Sequence, residues 1–193
     1  MTFNAHEEND LLEALGEQLG ALDALLEIVV IGGAALLALG LVNRTTSDID
    51  VLALRSSEGL KPADPFPPVL AEARDRVARD FELESDWLNP GPADLLRFGL
   101  PDDLMERVES RSFGAALTVH FVGRFDQIHF KLYALVDQGA GRHEDDLRAL
   151  RPTEQELLAA ARWARTHDPS EAFRRELLEA LGHLGVEDAD LGT

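Results

Sequence analysis

Cysteine is absent from this chain of 193 residues. Its absence excludes disulfides, thiolate zinc sites and cysteine nucleophiles. Positive charge is also scarce, because the net charge is −18 and no Lys or Arg precedes Arg44. A basic segment of the kind that opens a secretory signal is therefore missing, and a cytoplasmic protein is expected.

Long apolar segments are missing as well. The longest one, residues 28–42, is interrupted by Gly32, Gly33 and Gly40 and is short for a bilayer span, so no membrane association is expected. The acidic balance argues against non-specific binding to duplex nucleic acid, which requires neutralised phosphates. Local contact with an RNA end through clustered arginines stays open, as does a basic partner, although solubility is the simpler explanation of the acidity.

The remaining composition is that of a folded protein, with 45% hydrophobic residues. Leucines at helical spacing predict a first helix over residues 10–26. Buried strands are predicted over residues 28–31 and 47–54, separated by a Gly-Gly turn and a short helix over residues 34–39. Later predictions are a loop over residues 61–68, a helix over 69–80, an extended segment over 81–88, a short helix over 104–108 and a strand over 115–122.

The last third of the chain has helical patterns. Residues 126–136 carry one apolar face, Thr153 and Glu156 form a capping-box sequence, and Asp168-Pro169 is typical of a helix start. We therefore expect an α/β (α+β) fold in a single compact unit, residues 1–193. An α/β core over residues 1–124 would carry a helical part, residues 125–193, packed on it.

Two aspartates stand inside the second apolar run. On a strand, the side chains of Asp48 and Asp50 project to one face, while Ile49 projects to the other. Neighbouring carboxylates repel each other and favour a hard cation such as Mg²⁺, which proteins hold through one or two carboxylates plus substrate phosphates. The pair predicts a metal site for phosphoryl or nucleotidyl transfer, whereas an isolated Asp-x-Asp more often lies on a solvated strand face.

Gly32 and Gly33 stand between the predicted strand and the predicted helix. Glycine lets a phosphate approach the backbone closely, and amides at a helix start bind anions. Taken alone, such a pair is more often a plain turn. The order strand, Gly-Gly, helix, loop and Asp-Ile-Asp strand favours a phosphate-binding turn, with Arg44 or Ser47 as additional phosphate contacts.

The segment GGAALLALGLVNRTTSDIDVL resembles the signature of the nucleotidyltransferase superfamily with a polymerase-β-like core. Its R-T-T-S-D-I-D form is most similar to the AbiEii-like branch, which includes toxins of type IV toxin–antitoxin systems and related uncharacterised bacterial nucleotidyltransferases. The resemblance implies a mixed sheet flanked by helices and transfer of an NMP from an NTP to an acceptor hydroxyl with Mg²⁺ or Mn²⁺. It makes Asp48 and Asp50 the metal ligands and places Gly32 and Gly33 at the triphosphate.

Two later segments extend the resemblance. IHFKLYALVDQ is similar to the lysine segment of that branch, so Lys131 would offset triphosphate charge; a surface lysine whose stem covers apolar neighbours is the alternative. RHEDDLRALRPT is similar to the next block, which ends in Asp-Leu, here Asp146 and Leu147. This alignment puts Arg142 and His143 where the toxins carry Lys-Asp. His143 would meet phosphate or base, because imidazole does not replace a carboxylate on Mg²⁺.

Many members of the superfamily bring a third carboxylate from a later strand. Asp86 is the candidate here, ahead of Glu84, and an ordinary strand-end aspartate beside a packing Trp87 is the alternative. His120 and His129 lie near apolar runs and are expected to pack or to lie on the surface rather than to bind a ligand.

The expected function is therefore metal-dependent nucleotide transfer. The acceptor is left open among tRNA, a protein and a small molecule, and a cognate antitoxin or another protein is an expected partner. The rival interpretation is a catalytically weak relative that keeps the nucleotidyltransferase fold in order to bind a nucleotide or a protein.

Overall fold

The computed structural model describes residues 2–139, 141–187 and 189–191. The chain forms two compact units, Met1–Gly123 and Arg124–Thr193. Among the described residues, all six strands belong to the first unit, and the last four α-helices belong to the second. The α/β class with a helical C-terminal half is thus confirmed. The division falls one residue before the predicted boundary, and the packing of both parts into a single compact unit stays a prediction.

The first unit combines helices with a mixed sheet. Its helices are α1 (Ala5–Ala21), α2 (Gly32–Ala38), α3 (Pro68–Asp80) and α4 (Leu95–Phe98). Its strands are β1 (Leu26–Ile31), β2 (Ile49–Ser56), β3 (Gly59–Pro62), β4 (Leu88–Asn89), β5 (Glu109–Phe113) and β6 (Leu117–Phe121). Short 3-10 helices cover Gly91–Asp94 and Leu104–Glu106.

The sheet has the strand order β3-β2-β1-β6-β5. The central strand β1 pairs antiparallel with β2 and parallel with β6, and β5 is antiparallel to β6. The outer edge of β2 is shared, since β3 pairs with its C-terminal half and β4 pairs in parallel with Ile49 and Asp50 at its beginning. The first residues of β2 are therefore flanked by β1 on one side and by β4 on the other.

Apolar side chains of α1, α3 and one face of the sheet form the core of this unit. Leu15 and Leu19 of α1 have no exposed surface, and they pack in one cluster with Ile28 of β1 and Leu70 of α3. Burying one such side chain contributes roughly 2 kcal/mol. Helix α1 starts earlier than predicted because the Asn4 side chain accepts hydrogen bonds from the amides of His6 and Glu7.

Tertiary pairing explains where this unit departs from the sequence predictions. Strand β3 takes in the first two residues of the loop predicted over residues 61–68, and residues 63–67 are irregular as predicted. Pro62 of β3 is tolerated at the edge of the sheet, where a missing N–H is least costly. Of the predicted extended segment, residues 81–88, only Leu88 pairs with the sheet, as the first residue of β4; the residues before it form turns and irregular chain. Strand β5 was not predicted, because three of its five residues are exposed.

The second unit consists of α5 (Arg124–Gln138), α6 (Arg142–Ala149), α7 (Glu154–His167) and α8 (Glu171–His183). The predicted capping box at Thr153 and Glu156 is confirmed. Hydrogen bonds from Arg124 are the main reason that the pKa of Glu156 falls to about 2. The predicted helix start at Asp168 is wrong by two residues, because the Ser170 hydroxyl caps α8. Among the residues that the structure describes, no helix is long and apolar enough to span a bilayer.

The carboxyl group of Glu8 is buried in the first unit. The residue is 2% exposed, and within the described part of the chain neither of its oxygens has a hydrogen-bond partner. Burial raises the pKa of Glu8 to about 8, while the charge of Arg111 on β5 acts in the opposite direction. Arg111 itself donates to the Ala38 carbonyl at the end of α2, at 2.7 Å. The folded protein thus holds Glu8 protonated at neutral pH.

We expect Glu8→Gln to stabilise the protein at neutral pH. The pKa of this carboxyl rises from 4.5 to about 8 on folding, so the free energy of unfolding falls as the pH rises between these two values. Above the higher pKa it falls no further. At pH 7 the penalty is about 3 kcal/mol. Urea unfolding should show the variant and the wild type to be equally stable near pH 4, with the variant more stable at pH 7. The exposed Glu13→Gln on the same helix is the matched control, and equal stability of Glu8→Gln and wild type at pH 7 would contradict the assignment.

Candidate active site

Asp50 is the second residue of β2, and Asp48 directly precedes the strand. Ile49 and Val51 have no exposed surface and belong to the core, whereas both aspartates are partly exposed, so the predicted alternation is confirmed. Antiparallel pairing sets Asp50 opposite Ile31, the last residue of β1. The aspartates therefore lie next to the turn from β1 into α2.

Gly32 is the residue that this turn places against Asp50. A Cβ atom built on Gly32 would lie 2.5 Å from Asp50 Oδ2, closer than real Cβ contacts. Its φ of +74° lies in the left-handed region that glycine adopts readily. A side chain at this position would therefore strain the backbone and displace the Asp50 carboxylate.

Gly33 is covered by the loop that leads into β2. A Cβ atom at Gly33 would lie 2.7 Å from Thr46 Oγ1 and 3.2 Å from Arg44 Nη2. The Thr46 hydroxyl also donates to the Asp48 backbone carbonyl at 3.3 Å and lies 3.4 Å from Asp48 Oδ1. We call this group of residues the β1–α2 cradle: Gly32, Gly33, Arg44, Thr46, Asp48 and Asp50.

Thr46 is held in place by the segment that precedes α1. Phe3 N donates to Thr46 O at 2.7 Å, Thr46 N donates to Phe3 O at 3.0 Å, and both residues are 2% exposed. Sequence reasoning missed Thr46 because the short bridge joins segments far apart in the chain. Arg44, by contrast, was expected near the phosphates, and its guanidinium does lie over Gly33. Ser47, also expected there, is an exposed residue of the same loop.

Strand β4 brings Asn89 beside Asp50. The parallel register pairs these two residues directly, so their side chains emerge on the same face of the sheet. Asn89 Oδ1 accepts a hydrogen bond from the Gly91 amide at 2.9 Å. Asp86, the predicted third carboxylate, lies in an exposed turn just before β4. The sequence indicated the right segment, but the register identifies Asn89 as the neighbour of Asp50.

The donors of the cradle fit Mg²⁺ chemically. This ion prefers oxygen ligands and is commonly bound through one or two carboxylates, with waters and substrate phosphates completing its coordination. Asp48 and Asp50 supply two carboxylates, and Gly32 presents no side chain beside Asp50 Oδ2. In the described part of the chain, no three Asp, Glu, His or Cys side chains form a group that could hold a metal ion.

The other predicted site residues belong to the second unit. Lys131 on α5 and Asp146 on α6 are 5% and 1% exposed, and Lys131 Nζ lies 2.7 Å from Asp146 Oδ2. The alternative of a surface lysine is thus wrong. His143, at the beginning of α6, has its Nε2 3.0 Å from Gln138 Oε1 on α5. These contacts bring together the lysine segment and the Asp-Leu segment within one helical unit.

Comparisons of this chain with protein-family models, with curated proteins and with solved structures give no match. A function therefore has to be inferred from the chemistry of its own residues.

Proposed function

We propose that this protein is a metal-dependent nucleotidyltransferase that moves an NMP from an NTP to an acceptor hydroxyl. The observation that supports it most is the position of the Asp50 carboxylate against Gly32, where a Cβ atom would come within 2.5 Å of Oδ2. Asp48 stands two residues earlier at the same end of β2. Two carboxylates beside a glycine turn can bind a divalent cation whose remaining ligands come from a triphosphate.

The cradle residues that would contact the metal ion or the triphosphate have separate roles in this proposal. Asp48 and Asp50 would hold Mg²⁺ or Mn²⁺, which supplies positive charge to the triphosphate and lowers the pKa of the acceptor hydroxyl. Gly32, which is partly exposed, would let a phosphate oxygen approach the backbone. Gly33 is covered by Thr46 and Arg44, and the Arg44 guanidinium adds positive charge there. The acceptor oxygen bonds to the α-phosphorus as its proton passes to solvent, the bond between the α-phosphorus and the oxygen of the β-phosphate breaks, and pyrophosphate leaves.

Gly32→Ala should impair transfer, whereas Gly40→Ala should not. Both glycines have positive φ, +74° and +66°, so both variants carry a similar backbone strain of about 1 kcal/mol. A methyl group at Gly32 displaces the Asp50 carboxylate, while one at Gly40 meets nothing within 4 Å. Comparing transfer rates at equal folded fractions separates the displacement of the Asp50 carboxylate from the backbone strain that both variants share. Equal rates in both variants would remove Gly32 from the site.

The proposal is tested by incubating the protein with labelled NTPs, Mg²⁺ and a cell lysate and then locating the label. Label in tRNA, in a protein or in a small molecule identifies the acceptor. A cytoplasmic location and control of the activity by a cognate antitoxin belong to the same proposal. Absence of label with every NTP, from protein that is shown to be folded, would contradict it.

One observation favours a second candidate, a catalytically weak module that binds a nucleotide or a protein. The Lys131 ammonium group is 2.7 Å from the Asp146 carboxylate, so its charge is already compensated within the second unit. A lysine in this state adds little charge to a leaving pyrophosphate. Thermal stabilisation by Mg²⁺ plus an NTP, without any transfer of label, would support this binding role.

A further inference from the structure

Three side chains form a hydrogen-bonded series across adjacent strands of the first unit. His120 on β6 is 2% exposed, and its Nδ1 lies 2.7 Å from the Ser110 hydroxyl on β5. Its Nε2 lies 2.9 Å from Glu27 Oε2 on β1. Arg55 on β2 lies beside both groups, with Nη1 3.5 Å from the same Glu27 oxygen and 3.4 Å from His120 Nε2. We call Ser110, His120 and Glu27 the serine triad.

The chemistry of Glu27 decides which imidazole nitrogen carries the proton. Two groups contact His120 Nε2: Glu27 Oε2 at 2.9 Å, which as a carboxylate oxygen accepts a hydrogen bond, and the donor Arg55 Nη1 at the longer distance of 3.4 Å. The shorter contact assigns the proton to Nε2. In the neutral imidazole, Nδ1 is then the acceptor and receives the hydrogen bond of the Ser110 hydroxyl. A serine that donates to an imidazole whose other nitrogen is held by a carboxylate is an activated nucleophile.

The pairing of β5 with β6 aligns Ser110 with His120 and leaves Ser110 accessible to solvent. Ser110 is paired directly with His120 across β5 and β6, so their side chains emerge side by side on one face. Ser110 is itself exposed, whereas the base is buried. Ser112, two residues along the same exposed strand, is paired with Thr118 and lacks a histidine partner in this register. Ser112 therefore serves as an internal control for a serine that no histidine activates.

We propose that Ser110 is a nucleophilic serine that accepts an acyl group from an activated ester, an activity separate from nucleotide transfer. Ser110 Oγ bonds to the carbonyl carbon as its proton passes to His120 Nδ1. The bond to the leaving alkoxide then breaks, and the alkoxide takes that proton. Because Ser110 is open to solvent, water stabilises the oxyanion, and the acceleration is that of a general base, roughly 10²–10⁴-fold over an unassisted serine.

The test is acetylation of the full chain by p-nitrophenyl acetate, with the modified residue identified by peptide mass spectrometry. Wild type and Ser112→Ala should be acetylated at Ser110 at equal rates, and Ser110→Ala should lose this product. Glu27→Gln, a change at an exposed side chain, should slow acetylation at least about tenfold, and His120→Gln about a hundredfold, because general-base assistance is weakened or lost.

Thermal unfolding confirms that each variant is folded before rates are compared. Acetylation of Ser110 at the rate of Ser112 would overturn the proposal. So would an unchanged rate in folded Glu27→Gln, which tests the triad even if His120→Gln does not fold. A fluorophosphonate probe gives an independent readout, and it should label wild type but not Ser110→Ala.

Discussion

Asp50→Asn should lower the proposed nucleotide transfer by at least about a thousandfold, because losing one of the two carboxylates proposed to hold the metal ion removes several kcal/mol of charge stabilisation in the transition state. Asparagine keeps the shape of the side chain against Gly32 but not its charge. The fold should survive, since Asp50 is only partly buried and its neighbours Ile49 and Val51 hold the strand in the core. Asp48→Asn should have an effect of the same order.

The measurement is the rate of labelled NMP transfer at saturating Mg²⁺, with thermal unfolding as the check of the fold. Asp80→Asn, an exposed change at the end of α3, is the matched control and should retain full activity. Asp86→Asn tests whether Asp86 is a third metal ligand or an ordinary exposed aspartate. If Asp86 binds the metal ion, this variant should be as inactive as Asp50→Asn. Full activity of either Asp48→Asn or Asp50→Asn would remove the metal site from the proposal.

The largest expected effects on stability come from breaking the Lys131–Asp146 pair. Either Lys131→Met or Asp146→Leu leaves one charge buried without its partner, and each should cost about 3–5 kcal/mol. Changing both residues removes both charges, so the double variant should be much more stable than the sum of the two losses predicts. A buried ion pair contributes little net stability by itself, yet it tolerates single changes poorly.

Urea unfolding of the two single variants and the double variant provides the measurement. The exposed Lys61–Glu58 pair has the same N···O distance of 2.7 Å, and Lys61→Met should cost at most about 1 kcal/mol. Additive losses in the Lys131–Asp146 cycle would contradict the pairing. The double variant also tests function, since a folded protein that has lost transfer would give Lys131 or Asp146 a role beyond this ion pair.

The elements predicted well are those whose pattern is local. The leucines of α1, the apolar segment of β1 and the Thr153–Glu156 cap can all be recognised within one short window of sequence. The alternation around Ile49 is of the same kind, and it correctly separated two polar side chains from the core. Local patterns therefore predicted the α/β class and the Asp48 and Asp50 part of the cradle.

The rest depends on pairings between distant segments, which no local pattern shows. Asn89 becomes the neighbour of Asp50 only through the register of β4 on β2. Thr46 is fixed by a bridge to Phe3, and the serine triad needs three strands in alignment. The cap of α8 is Ser170 rather than the predicted Asp168, because Ser170 Oγ accepts from the Phe173 amide while Asp168 Oδ1 accepts from the Ser170 amide before the helix begins.

The parallel pairing of β1 with β6 has a consequence for synthesis of the protein on the ribosome. Residues 26–31 are made early, but their partner, residues 117–121, is made only after most of the first unit. Pairing across such a separation forms late, because a long loop must close first. Until then one edge of the apolar strand LEIVVI is uncovered and open to association with other nascent chains. Slower translation should therefore lengthen the period in which this protein needs a chaperone.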